Sequence, residues 1–578
     1  MALIASAVLL GACGPGAAAS GASHRGRTHA RPPLVAVAGG TATVALDQLP
    51  TTLNDHTVAG DTPSGRMLGS AVWGQVFRVG PGAVPQLDTN VVDSAEVVSV
   101  NPQTVMYQID PRAVWSDGVA ISVDDFVYAW QAQRGGAADV DGSPVSVAST
   151  LGYRDIASIA GSNGGRTVTV VFRQPFADWA SLFADLLPAH VSARVGWNHG
   201  YDRFDPSVLV SGGPWMVASW QPGAQLVLTR NPRWWADAPR LERVVVRAVS
   251  GGASLASALG SGQVDVAYPS GFDMSFLAQA SSSPLLESQT QLGTRMLQLA
   301  FNVRHVPLDV AAVREGVAHT IDRAAIATTV GQPALHSVWE DNHHLFANTQ
   351  TWYADNAAGY ERVDLPAAAR LLEQGGLVAD SRGTWTSHGR PIDLVVAWAL
   401  DDPWSAATAP LVVAELVSAG FDVTAQPVPA GDLAASVLPS GSFDVALVPV
   451  DAGAYPSSLG SVYSTAPTVT GGVGTNWTGF DDPRVDTLFT QAAQELAAAR
   501  AEALYQQIDQ ALWSDMPTLP LFAEPTFLVW PTWLTQVMDD PGGIGPFWNI
   551  RLWTRLAAPP STAPAGSNNA LGAHRAKR

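Results

Sequence analysis

Residues 105–130 read VMYQIDPRAVWSDGVAISVDDFVYAW, and their pattern decides how the rest of the chain is read. Residues 104–109 alternate apolar and polar side chains, the period of a strand with one buried face. Trp115-Ser116-Asp117-Gly118 then supplies turn residues. Ser122 stands where an N-cap belongs, and 123–134 carry a helical period behind it. Strand, turn and capped helix in one stretch predict a mixed sheet-and-helix architecture.

The same alternation extends outward in both directions. Residues 34–46 (LVAVAGGTATVAL) predict strand, glycine turn, strand, and 167–172 and 225–229 are again β-rich. A helix is expected over 310–330 with Asp309 as its cap. A strand is expected at 392–400, a helix at 406–419 ending on Gly420, a strand at 423–428 and a long amphipathic helix at 496–514. The fold class is therefore α/β with α+β character, and no fixed-period repeat is present. Carboxylate pairs such as Asp124-Asp125 and Asp481-Asp482 read as charges at helix N-termini.

At 578 residues the chain exceeds one compact core, and 47% hydrophobic against 14% charged residues makes its bulk globular. A net charge of −18 argues against a nucleic-acid partner, which needs a basic face. The sole lysine is Lys577, in the Pro/Ser/Ala-rich tail 558–578, which excludes a phosphate-loop lysine and a Schiff-base lysine from the folded region. Neither Gly-x-Ser-x-Gly nor His-Glu-x-x-His occurs, so no catalytic framework is visible and a hydrolase with an unrecognised site is a remote reading. Asp341-Asn342-His343-His344 lacks a third ligand at helical spacing, so no metal or other cofactor is expected.

The single cysteine, Cys13, rules out an intramolecular disulfide. Residues 1–12 are apolar and too short to span a bilayer, and Leu10-Gly11-Ala12-Cys13 resembles a bacterial lipobox. No Lys or Arg precedes the apolar run, a departure from the basic start of a signal peptide. The expectation is a lipoprotein signal peptide over 1–13, lipidation at Cys13, a flexible tether over 14–34 and a place on the outer face of the cytoplasmic membrane.

Several motifs together resemble the family 5 extracellular solute-binding proteins, which include the oligopeptide- and dipeptide-binding components of ABC importers. Besides 105–130, they are SGGPWMVASWQPGAQLVLTRNPRWW (211–235), ALGSGQVDV (258–266), Phe301-Asn302 with Pro307-Leu308, Val313-Arg314 and Ile321-Asp322-Arg323, AARLLEQGG (368–376), and GFDDPRVD (479–486). The resemblance covers about residues 35–555. It implies a three-lobed binding-protein type II fold with a hinged ligand cleft. The first lobe would comprise 35–78, 206–293 and 525–557, the second 79–205 and the third 294–524. It implies a monomer that hands a peptide to permease and ATPase subunits.

The family holds the peptide amino terminus with an aspartate just before an aromatic-Pro pair. Here Ala454 precedes Tyr455-Pro456, and Asp451 lies three residues earlier, so Asp451 is the candidate anchor. Tyr455, Trp398, Trp404, Asn54 and His343 are the other candidate ligand-binding residues. The resemblance also leaves open a second role, that of the LpqW-type lipoproteins, which share the fold and are associated with cell-envelope glycolipid synthesis.

Overall fold

The computed structural model describes residues 35–557, apart from 272, 273, 332–334, 336, 337, 467–473, 541 and 543. Cys13 and the lipobox lie outside the described residues. Residues Ala36–Leu556 form one compact unit.

Its spine is a sheet of ten strands among the described residues, in the order Asp422–Val428, Asp393–Ala399, Val445–Asp451, Leu286–Phe301, Thr518–Pro531, Val266–Tyr268, Thr41–Leu46, Arg243–Ala248, Gln225–Arg230 and Trp215–Gln221. The N-terminal strand Thr41–Leu46 is flanked by two parallel neighbours, Arg243–Ala248 and Val266–Tyr268. At the other end Asp393–Ala399 runs parallel to both of its neighbours. Long crossovers join such parallel strands, and helices such as Pro403–Ser418 provide them.

Two long antiparallel strands connect the halves of this sheet. Leu286–Phe301 pairs with Thr518–Pro531 from Leu286 opposite Pro531 to Ala300 opposite Thr518. Their register shifts between Leu292 and Met296. Gly293 sits in that irregularity, where a Cβ would lie 2.8 Å from the Glu524 carbonyl oxygen, so the close approach requires glycine. Residues 79–205 contribute a separate antiparallel sheet, Val92–Val100, Gln103–Ile109, Thr167–Phe172 and Ile156–Ser162.

The opening stretch folds as its pattern requires. Gln103–Ile109 buries alternate residues, and helix Val123–Gln133 begins in a capping box. The Asp125 carboxylate accepts from the Ser122 amide, and Ser122 caps the helix in return. Trp115 and Phe126 are fully buried in the core that this segment shares with Trp73, Trp215 and Trp553. A second core gathers around Leu299, Phe301, Val396 and Phe522.

Two helix boundaries differ from expectation. The helix expected over 310–330 is two, Ala311–Ala318 and Arg323–Gly331. Asp322 makes the break by accepting from the Ala325 amide, while its own amide donates to the Glu415 carboxylate. Val310, not Asp309, is the N-cap of the first helix, with no side-chain cap bond. The helix expected from 406 starts earlier, at Pro403, because Asp402 caps it by accepting from Ser405.

Candidate functional site

The helix Pro63–Val72 starts where Thr62 accepts from the Gly65 amide, and Pro63 at its first position is pre-set for helical φ. Its residues are almost all buried, but Arg66 keeps 36% of its side chain exposed. The Arg66 guanidinium donates to Asp61 at 2.5 Å and faces Asp451 at 3.7 Å. Burial opposes the charge on Arg66, and Asp61 and Asp451 together more than offset it, holding its pKa above the ordinary value.

Asp451 ends the strand Val445–Asp451, where the antiparallel register sets it opposite Arg295. One of its oxygens, Oδ1, accepts from the Gly453 amide at 3.1 Å and the Thr294 hydroxyl at 3.3 Å. The other, Oδ2, faces Arg66, and the side chain stays 47% exposed. Arg295 donates to Glu524, on the facing long strand, at 2.7 Å and to Asp402, the cap of helix Pro403–Ser418, at 3.2 Å. Burial pushes Glu524 up to about 8, against the attraction of Arg295.

Beneath the helix lies a buried carboxyl pair, Asp55 and Asp185. Burial raises both, Asp55 to about 7, and their mutual contact lets one proton serve the two. Gln75 donates to Asp185 at 2.9 Å. A Cβ on Gly69 would stand 2.7 Å from the Asp55 carboxylate, so glycine lets the helix rest on the pair.

Three charged groups that sequence reasoning missed, Arg66, Arg295 and Asp61, thus stand around one that it proposed. Only the i, i+5 spacing of Asp61 and Arg66 was local enough to be visible, and it is not a recognised pairing signal on a helix.

The remaining candidates fall in different places. Tyr455 is half-buried, and its hydroxyl donates to the Ala180 carbonyl at 3.0 Å. Next to it Ser457 donates to Asp178 from both its amide, at 2.9 Å, and its hydroxyl, at 2.5 Å. Trp398 is half-buried against the second core. Trp404 is 2% exposed and packs edge-on against Phe522, so packing accounts for its position.

Asn54 is fully buried, near Asp55 but turned into the fold, donating to the Trp197 carbonyl at 2.9 Å and accepting from the His56 amide. It fixes the loop before the helix. His343 is also fully buried, and its Nδ1 accepts from the Leu345 and Phe346 amides. Burial depresses it to about 4, which keeps the ring neutral and a structural acceptor. Its neighbour His344 meets Asp509 at 2.8 Å, and Asp509 also accepts from the Asn356 amide group at 2.7 Å. Among the described residues no group of three or more His, Cys, Asp or Glu side chains is placed to hold a metal, and no helix is long and apolar enough to cross a membrane.

Comparison with known proteins agrees with this architecture. The family model for bacterial extracellular solute-binding proteins, family 5 (middle region), matches residues 84–471. The oligopeptide-binding protein OppA of Mycobacterium tuberculosis is 27% identical over 498 residues, 84% of this chain and 80% of that one. A second M. tuberculosis protein, LpqW, whose name assigns it monoacyl phosphatidylinositol tetramannoside, is 26% identical over 416 residues. That match spans 66% of this chain and 63% of LpqW, just under two thirds of its length. The solved structure of a periplasmic EDTA-binding protein, EppA, superposes with a TM-score of 0.83 at 25% identity, covering 92% of this chain and 99% of that one.

Proposed function

The chain belongs to the bacterial extracellular solute-binding proteins, family 5, has their type II binding-protein fold and is a binding protein rather than an enzyme; from that premise we propose that it captures a peptide-class ligand outside the cell and delivers it to an ABC importer. In this reading the lobes are 35–78 with 206–293 and 525–557, then 79–205, then 294–524. The register irregularity at 292–296, facing Glu524, is where the long strands would flex between the first and third lobes. Lipidation at Cys13 would hold the protein on the outer face of the membrane. Loss of detergent-phase partitioning in Cys13→Ala, with the wild type partitioning, is the expected result.

The observation that carries the reading is Asp451. It is a part-exposed carboxylate at a strand end, orientated by Gly453 and Thr294, with one oxygen turned toward the first lobe. A ligand ammonium enclosed there needs a charge-assisted partner, worth about 1.5–3 kcal/mol. Asp451→Asn should therefore weaken binding of a free-amine peptide by roughly 10- to 150-fold. The N-acetylated peptide should lose little. Calorimetry on both proteins with both peptides reads this directly, and equal affinities for wild type and variant would place the amino terminus elsewhere. The likeness to LpqW favours one competing reading, a mannosylated lipid as ligand. Binding of such a lipid with no peptide binding would establish it.

A further inference from the structure

We infer that Arg66 is a built-in competitor for the ligand amine, a specificity-setting residue whose guanidinium stands on the one face of Asp451 that a ligand ammonium would use. The inference rests on the reading of Asp451 as amine anchor. Oδ1 of Asp451 is already engaged by the Gly453 amide and the Thr294 hydroxyl, both from the same lobe. Oδ2 faces Arg66 of the first lobe at 3.7 Å. An incoming ammonium and the guanidinium therefore compete for the same oxygen.

The arrangement is built for exchange. Arg66 has a second partner, Asp61, on its own lobe at 2.5 Å, so yielding Asp451 leaves its charge paired. The Arg66–Asp451 contact is long, and both side chains are more than a third exposed, so it is weak and readily broken. Arg295 cannot take over the role of competitor, because Glu524 and Asp402 already hold its guanidinium.

The consequence is a filter. A ligand has to present a cation strong enough to displace an arginine, and a neutral N-terminus gains nothing from doing so. The same pair joins the first and third lobes, so removing it should also loosen their approach.

The test uses pentaalanine with a free amino terminus, its N-acetylated form, and the full chain as wild type, Arg66→Gln, Asp451→Asn and the double variant. Arg66→Gln should bind pentaalanine roughly three- to tenfold more tightly, with the acetylated form unchanged. In the Asp451→Asn background the same substitution should have no effect, because the contested oxygen is gone. Weaker binding by Arg66→Gln would mean that the guanidinium holds ligand and would overturn the inference. So would unchanged binding, or a gain that survives in the Asp451→Asn background.

A second measurement is independent of ligand. Spin labels at Val58→Cys and Val417→Cys, two exposed positions in the first and third lobes, are placed in full chain carrying Cys13→Ala. Their distance distribution should broaden in Arg66→Gln and in Asp451→Asn, and no further in the double variant. If Asp451→Asn leaves pentaalanine binding intact while the distances respond as expected, the amine anchor is wrong and the ion pair is real. If no protein binds pentaalanine, the competition falls together with the anchor.

Discussion

Two regions of the molecule use the same side-chain chemistry for opposite ends. At Arg66 and Asp451, a guanidinium and a carboxylate meet across the proposed lobes while staying part-exposed. Around His343, His344 and Asp509, imidazoles and a carboxylate are sealed inside one lobe with no exposure at all. The sealed network has fixed partners, since Asp509 accepts from the His344 ring and amide and from Asn356, and burial makes each lost partner costly. The open pair has exchangeable partners, because water and ligand can reach both of its side chains. Exposure, rather than residue type, separates scaffold from candidate site.

The sharpest way to break this contrast is to remove a charge from each region. Asp509→Ala should lower the unfolding free energy by about 3–5 kcal/mol, because it strands His344 and Asn356 without their acceptor. Urea unfolding checks it, and a loss under about 1 kcal/mol would mean that the network is not part of the scaffold.

Titration separates two buried groups, one in the sealed network and one beneath the helix that carries Arg66, by sign. His343 is depressed from 6.5 to about 4, so the unfolded chain binds more protons between those values. Its contribution is fully present above pH 6.5 and lost as pH falls toward 4, by about 3 kcal/mol. Asp55 is raised from 3.8 to about 7, so its contribution is present below pH 3.8 and lost as pH rises through 7. The two slopes oppose each other between pH 4 and 6.5. In Asp55→Asn the acid-side loss from His343 should therefore stand out more steeply, and in His343→Asn it should shrink. Unfolding curves across pH 4–8 on the three proteins measure both.

Asp451→Asn sharpens the comparison from the other side. It should reduce free-amine peptide affinity as set out above, yet change unfolding free energy by about 1 kcal/mol or less, since its ion pair is exposed. A large stability loss would move Asp451 into the scaffold class. The smallest effect is expected for Tyr455→Phe, which removes the bond to the Ala180 carbonyl between the proposed second and third lobes. About 1 kcal/mol should be lost, seen as a small drop in unfolding free energy with the peptide contacts intact.

Much of the architecture was legible because it is local. The alternation at 104–109, the Ser122 cap and the paired acids at 481–482 each act within a few residues, and Asp482 caps Pro483–Gln494. Where sequence reading slipped, the signal was either local and overlooked or came from elsewhere in the fold. Asp322 and Asp402 are caps of the ordinary kind, whereas the Glu415 carboxylate that also holds the break at Asp322 comes from another helix.

Within the candidate site, the sequence by itself determined that Asp451 is a carboxylate beside an aromatic-Pro pair, in a chain whose motif order resembles one family of binding proteins. It could not determine that Asn54, Trp404 and His343 turn inward, because a polar or aromatic residue reads the same whether a cleft or a core receives it. Nor could it bring Arg66 to Asp451. That meeting depends on the register that sets Arg295 opposite Asp451, on the irregularity at Gly293, and on a helix from the far N-terminal part resting on Asp55 through Gly69. The physical reason is range. Propensity, capping and periodicity act over a few residues along the chain, while charge pairing and desolvation depend on distances that exist only after strands from both ends of the sequence share one sheet.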